Sequence, residues 1–126
     1  MGKQVVNIEK ENADEDEKES DLENPLACPV VSTLGLISGK WKPMVIHILI
    51  EQPKRFGELK RMMSPISQKV LTQQLRELES ADIVQRDVFD EKVLNVTYSV
   101  TDYGKSLSPV LEALYLWGES NAPIAG

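Results

Sequence analysis

Between Ile66 and Arg86 the chain reads ISQKVLTQQLRELESADIVQR, with Leu71, Leu75 and Leu78 at i, i+4 and i+7. At about 100° per residue these leucines form one stripe of a helix, the pattern of a face turned to a core. Lys69, Thr72, Gln73 and Arg76 fall on the other side. Ser67 precedes this pattern and predicts an N-cap, its hydroxyl accepting from a backbone N–H of the first turn. The segment therefore predicts an amphipathic helix whose polar face carries long donor side chains.

Upstream, Val30, Leu34 and Ile37 keep helical spacing and Gly39 is placed to end that run in a left-handed cap, predicting a first helix over roughly 29–38. WKPMVIHILIE follows, with Pro43 suited to a first turn and an apolar run too continuous for a one-sided surface helix. It predicts the central buried helix, ended by Gln52-Pro53. RFGELKRMM predicts a short third helix with Phe56, Leu59 and Met63 inward, and Ser64-Pro65-Ile66 a tight turn. Two helices joined by a few residues, the second with the polar outer face, have the layout of a helix-turn-helix.

Downstream, IVQRDVF and VLNVTYSV are β-rich runs with partial alternation around Asp90-Glu91-Lys92, predicting a two-stranded hairpin, a wing. Thr101 caps a last helix from about Asp102, with Leu107, Val110, Leu111, Leu114 and Trp117 on one face and Pro109 bending or breaking it. So much apolar surface exceeds what a domain this small can cover. Pairing with the first helix of a second copy (Val30, Leu34, Ile37) removes the exposure, which predicts a two-fold homodimer.

The fold class is thus mainly α with a small β-hairpin, a winged helix-turn-helix dimerising through its N- and C-terminal helices. Residues 1–24 are predicted to be an acidic, disordered tail, and 25–126 the domain with its C-terminal dimerisation helix.

A net charge of −6 argues at first against a nucleic-acid partner. Its distribution reverses the argument. Residues 1–24 hold three lysines against nine acids, which accounts for the whole −6 and leaves the other 102 residues neutral. Residues 54–76 carry Lys54, Arg55, Lys60, Arg61, Lys69 and Arg76 against Glu58 alone, a local excess of +5 beside the amphipathic helix. In the major groove Lys and Arg suit guanine and Gln suits adenine, so Lys69, Thr72, Gln73 and Arg76 are the candidates for bases or phosphates. Ser67 and Gln68 are candidates for the backbone near the helix start; Arg55, Lys60 and Arg61 read either as general phosphate contacts or as plain surface charge, and Lys92 as a further candidate for phosphate.

The start of the chain has no signal-type apolar run, and VIHILI is far too short to span a bilayer, which predicts a cytoplasmic protein without a membrane partner. Cys28 is the single cysteine and His47 the single histidine, so the pattern supplies no Cys-based zinc site and calls for no metal and no cofactor. Trp41, among apolar neighbours, and His47, between two isoleucines, read as packed residues, His47 with one satisfied hydrogen bond. With no nucleophile–base pair and no glycine-rich phosphate loop, the chain does not read as an enzyme.

Five motifs stand in order: CPV from Cys28, GKWK from Gly39, RFGEL from Arg55, ISQKVLTQQLRELE from Ile66 and YSVTDYGKSL from Tyr98. Through them the chain, from about Cys28 to Gly118, resembles the HxlR-type winged helix-turn-helix regulators of bacteria and archaea. The resemblance implies a homodimeric transcription factor on double-stranded DNA, with the fourth helix in the major groove. It also implies that a cysteine in the CPV position is a candidate redox sensor: an adduct on Cys28, or a bridge to its symmetry mate, would alter the spacing of the two reading helices. Helix N-termini favour thiolates in general; the other reading of Cys28 is a small buried hydrophobe with no sensing role.

Two departures stand out. Val93, Leu94 and Asn95 replace the Pro-Pro-Arg-type stretch often found in the family's wing, leaving Lys92 as the basic residue at the tip. Gly57 stands where the family often has a serine N-cap. The alternative function is a winged-helix module for protein contacts without DNA binding. The operator, the target genes and the inducing electrophile or small molecule are not legible in these motifs.

Overall fold

The computed structural model describes residues 27–90 and 95–122. The predicted acidic tail over 1–24 and the wing turn with Lys92 lie outside the described residues. Backbone contacts divide the chain into two units, 1–37 and 38–126. In the first, helix α1 spans Pro29–Ile37, entered by a bond from the Ser32 N–H to the Cys28 carbonyl at 2.9 Å. Val30 and Leu34 are exposed on it and Ile37 is buried.

The second unit runs α2 (Lys42–Glu51), β1 (Lys54–Arg55), α3 (Phe56–Met62), α4 (Gln68–Ser80), β2 (Val84–Asp90), β3 (Asn95–Val100), α5 (Asp102–Lys105) and α6 (Ser108–Asn121). Gly39, before α2, takes φ +92°, the left-handed region that glycine occupies without steric cost. Pro43 sits in the first turn of α2, where its missing N–H costs nothing. Val45, Ile46 and Leu49 of that helix are buried, but Ile48 and Ile50 are only half-buried and His47 is exposed. The apolar run therefore overstated the burial of α2. His47, expected to be packed, instead stacks its ring on Tyr115 of α6, with centroids 6.3 Å apart.

α3 starts where the Arg55 N–H donates to Glu58 Oε1 at 2.8 Å, so the cap residue is Arg55 and Gly57 lies inside the first turn. The expectation of Gly57 at the cap is corrected accordingly. That backbone bond, with the positive charges of Lys54, Arg55 and Arg61, holds the Glu58 carboxyl below the usual glutamate range.

The sheet has three strands in the order β1-β3-β2, all antiparallel, where a two-stranded hairpin was expected. Only Lys54 and Arg55 form the third strand, paired to Tyr98 and Thr97, and two basic residues after a proline carry no alternation for a sequence to display. β2 and β3 pair from Val84↔Val100 outward, with an irregularity between Val88 and Asp90.

α4 ends in a Schellman motif. The Ile83 N–H reaches the Leu78 carbonyl at 3.0 Å and the Asp82 N–H the Glu79 carbonyl at 2.9 Å, with Asp82 at φ 63°. Ile83 and Leu78, the two positions whose apolar side chains commonly accompany this cap, are both fully buried. Thr101 then ties the two ends together: its hydroxyl donates to the Asp82 carbonyl at 2.7 Å and accepts from the Gly104 N–H at 2.9 Å. A Cβ on Gly104 would meet the Ile83 carbonyl oxygen at 2.3 Å, so α5 approaches the backbone just before β2 at a distance that only glycine allows. The predicted last helix is broken after Lys105 into α5 and α6, with Pro109 in the first turn of α6.

Candidate nucleic-acid interface

The Val70 N–H donates to Ser67 Oγ at 3.1 Å, so α4 begins at the predicted cap. Leu71, Leu75 and Leu78 are closed to solvent at 0 to 1% exposure, while Lys69, Gln73 and Arg76 are exposed and Thr72 is half-buried. Burial of three leucines fixes the rotation of the rod. Its outward face is then set by the 3.6-residue period alone. Gln68, Lys69, Thr72, Gln73 and Arg76 line one shallow groove along that face.

The two flanks of α4 differ. Toward the sheet, Gln68, Thr72, Arg76 and Glu79 share a trough with Arg55 and Arg86, floored by Phe56, Leu75, Val96 and Tyr98. Three arginines and one glutamate thus line the trough beside α4, a composition suited to an anionic backbone. Lys60 and Arg61, expected as phosphate contacts, line neither hollow, although Arg61 is exposed.

Arg86 was not among the residues singled out from the sequence. It is paired with Tyr98 and shares strand parity with buried Val84, so it continues the core-facing row of β2 past the edge of the core. A charged residue at an apolar parity position was the signal that could have found it.

Toward α2, the Glu77 carboxylate is clasped from two sides. Lys42 Nζ forms an ion pair with Glu77 Oε1, and Gln73 Nε2 donates to Glu77 Oε2 at 2.7 Å. The Lys42 hydrogen bond, then the Gln73 hydrogen bond and the Lys42 charge, hold the Glu77 carboxyl below its usual range. Neither Lys42 nor Glu77 was expected to take part.

The predicted dimer face divides. Leu107 and Leu111 are buried in the chain's own core, which leaves Val110, Leu114 and Trp117 exposed on α6, with Tyr115 and Leu116 beside them. Cys28 is a free, half-buried cysteine, and Trp41 is half-buried with Lys40 Nζ 4.9 Å from its ring centroid. Among the described residues no group of His, Cys, Asp and Glu forms a metal-binding cluster, and no helix is long and apolar enough to cross a membrane.

The HxlR-like helix-turn-helix family matches residues 36–125. The HTH-type transcriptional regulator YybR of Bacillus subtilis is 42% identical over 108 residues, which cover 86% of this chain and 86% of that protein. Among solved structures, the redox regulator HypR in its reduced form has a TM-score of 0.72 and 44% identity, covering 74% of this chain and 92% of that one. The reduced form of YodB from B. subtilis has a TM-score of 0.68 at 34% identity, covering 79% of this chain and 98% of that one. Motifs, a mainly helical fold with a three-stranded sheet, and matches over most of the chain agree: the protein belongs to the HxlR-like helix-turn-helix family of transcriptional regulators.

Proposed function

We propose that the protein is a sequence-specific DNA-binding regulator that acts as a homodimer on a roughly palindromic operator. The observation that carries this reading is α4: a rod seated by three closed leucines, with Lys69, Gln73 and Arg76 in solvent on its opposite face and Thr72 beside them. A helix of this kind fits the major groove, with Ser67 and Gln68 against the backbone at its start. Arg55 and Arg86 hold the adjacent phosphates, with Lys60, Arg61 and Lys92 as further basic contacts. The exposed stripe of Val110, Leu114 and Trp117 on α6, and Val30 and Leu34 on α1, are the surfaces assigned to the partner copy. Two-fold symmetry on B-form DNA then sets the half-sites about 34 Å apart, or a multiple of that.

Operator fragments recovered from a genomic library test this reading. If each subunit neutralises about three phosphates, a plot of log affinity against log salt falls with a slope of about −5. A protein-contact module would retain no fragments, with or without residues 1–24, and that result would end the reading.

Cys28 enters the same proposal as a sensor of oxidants or electrophiles. It is a free thiol on the backbone that leads into α1, and related solved structures are described as reduced and oxidised forms of HypR and a diamide-treated form of YodB. Diamide is expected to change operator binding by the wild-type chain and to leave Cys28→Ser unaffected. An equal response from both would remove Cys28 from the mechanism.

A further inference from the structure

Among the described residues of that outer face, Gln73 is the one whose side chain is hydrogen-bonded to another side chain of its own helix, the Glu77 carboxylate four residues on. A carboxylate accepts and does not donate, so the amide nitrogen, and not the amide oxygen, must be the group turned toward Glu77. One of its two N–H groups is consumed there. The carboxamide oxygen and the second N–H remain for a ligand. That acceptor-and-donor pair matches the major-groove edge of adenine, which presents an amino group at N6 and an acceptor at N7.

Glu77 is itself fixed. Its second oxygen is paired with Lys42 of α2, a lysine whose side chain is only 15% exposed against 42% for Glu77. α2 belongs to the core through Val45, Ile46 and Leu49. The chain from core to reading face is therefore continuous: α2 holds Lys42, Lys42 holds Glu77, and Glu77 holds the plane of the Gln73 amide. A free glutamine loses rotamer freedom when it binds and can turn either amide atom to a base. A clasped one has already settled both questions. Lys42 also offsets a carboxylate that would otherwise meet DNA phosphates with like charge.

We infer that Glu77, anchored by Lys42, is a positioning residue that presets the Gln73 carboxamide to read adenine at one base pair of each half-site. The inference rests on the proposed DNA-binding reading and adds to it a specificity determinant that touches no base.

The test uses the full chain and duplexes carrying each substitution at every position of a selected operator. Gln73→Ala is expected to lose about tenfold of adenine preference at one base pair per half-site. Glu77→Ala is expected to lose most of the same preference at the same base pair, with the salt slope unchanged because no phosphate contact is removed. The double variant loses no more than Gln73→Ala alone, since both substitutions remove one device. Glu77→Gln keeps much of the preference, because its amide oxygen still accepts from Gln73. Lys42→Met falls between Glu77→Ala and wild type. If Glu77→Ala keeps the adenine preference that Gln73→Ala loses, or the two losses add, the inference is wrong while the interface stands. Wild-type chain without salt-sensitive duplex binding would overturn both.

Discussion

Replacing Lys69 and Arg76 together by alanine is expected to weaken operator binding by about 2–6 kcal/mol per subunit, from two contacts of about 1–3 kcal/mol each. That is a loss of roughly 30-fold at the least, by the usual tenfold per 1.4 kcal/mol. Both side chains are exposed on the face of α4 opposite the leucines. Removing them opens no cavity, so the melting temperature and the oligomeric state should hold, as surface substitutions of this kind do. Mobility-shift titration beside thermal denaturation separates the two effects. A folded double variant that binds the operator as tightly as wild type would refute the assignment of α4 as the reading helix.

The second large effect concerns the other side of the same helix. Leu75→Ala is expected to destabilise the domain by about 2–5 kcal/mol, the lost transfer energy plus the cavity left in a core that relaxes only in part. Leu75 is 1% exposed, between Leu71 and Leu78, which are fully closed. A small domain has about 5–15 kcal/mol in total, so this one substitution removes a large share of it. At about 4–8 °C per kcal/mol the midpoint should fall by about 10 °C or more. Denaturant titration measures this directly. Val70→Ala, on the same helix but 37% exposed, is the control and should cost far less. Equal small losses from the two would mean that the leucine stripe does not seat the helix.

The two variants probe the two faces that were most legible in the chain. α4 could be read at the level of single residues because helical period, cap chemistry and burial agree there. Ser67 caps it, three leucines are inside, and the polar residues follow by geometry. The break before α6 was legible in the same way, from Pro109 and the fixed backbone angle of its ring. β1 was not legible. Two residues have no periodicity, and Lys54 and Arg55 become a strand because β3 offers an edge to pair with. His47 was misjudged because a run of isoleucines records hydrophobicity and not direction, and its ring lies on the flank of α2 that meets Tyr115.

The residues flanking α4 show the same division most clearly. Local rules of period and capping act over a few neighbouring positions, and these sufficed to place an amphipathic helix after a turn and to put Lys69, Thr72, Gln73 and Arg76 on its outer face. Which distant side chains stand beside them depended on how α2 and the sheet pack against α4. Arg86 joins Arg55 and Arg76 in the trough across strand pairing, and Lys42 reaches Glu77 from 35 positions earlier in the chain. Such contacts have no sequence period, because they come from the closing of a core around buried leucines, and that closure is a property of the whole fold.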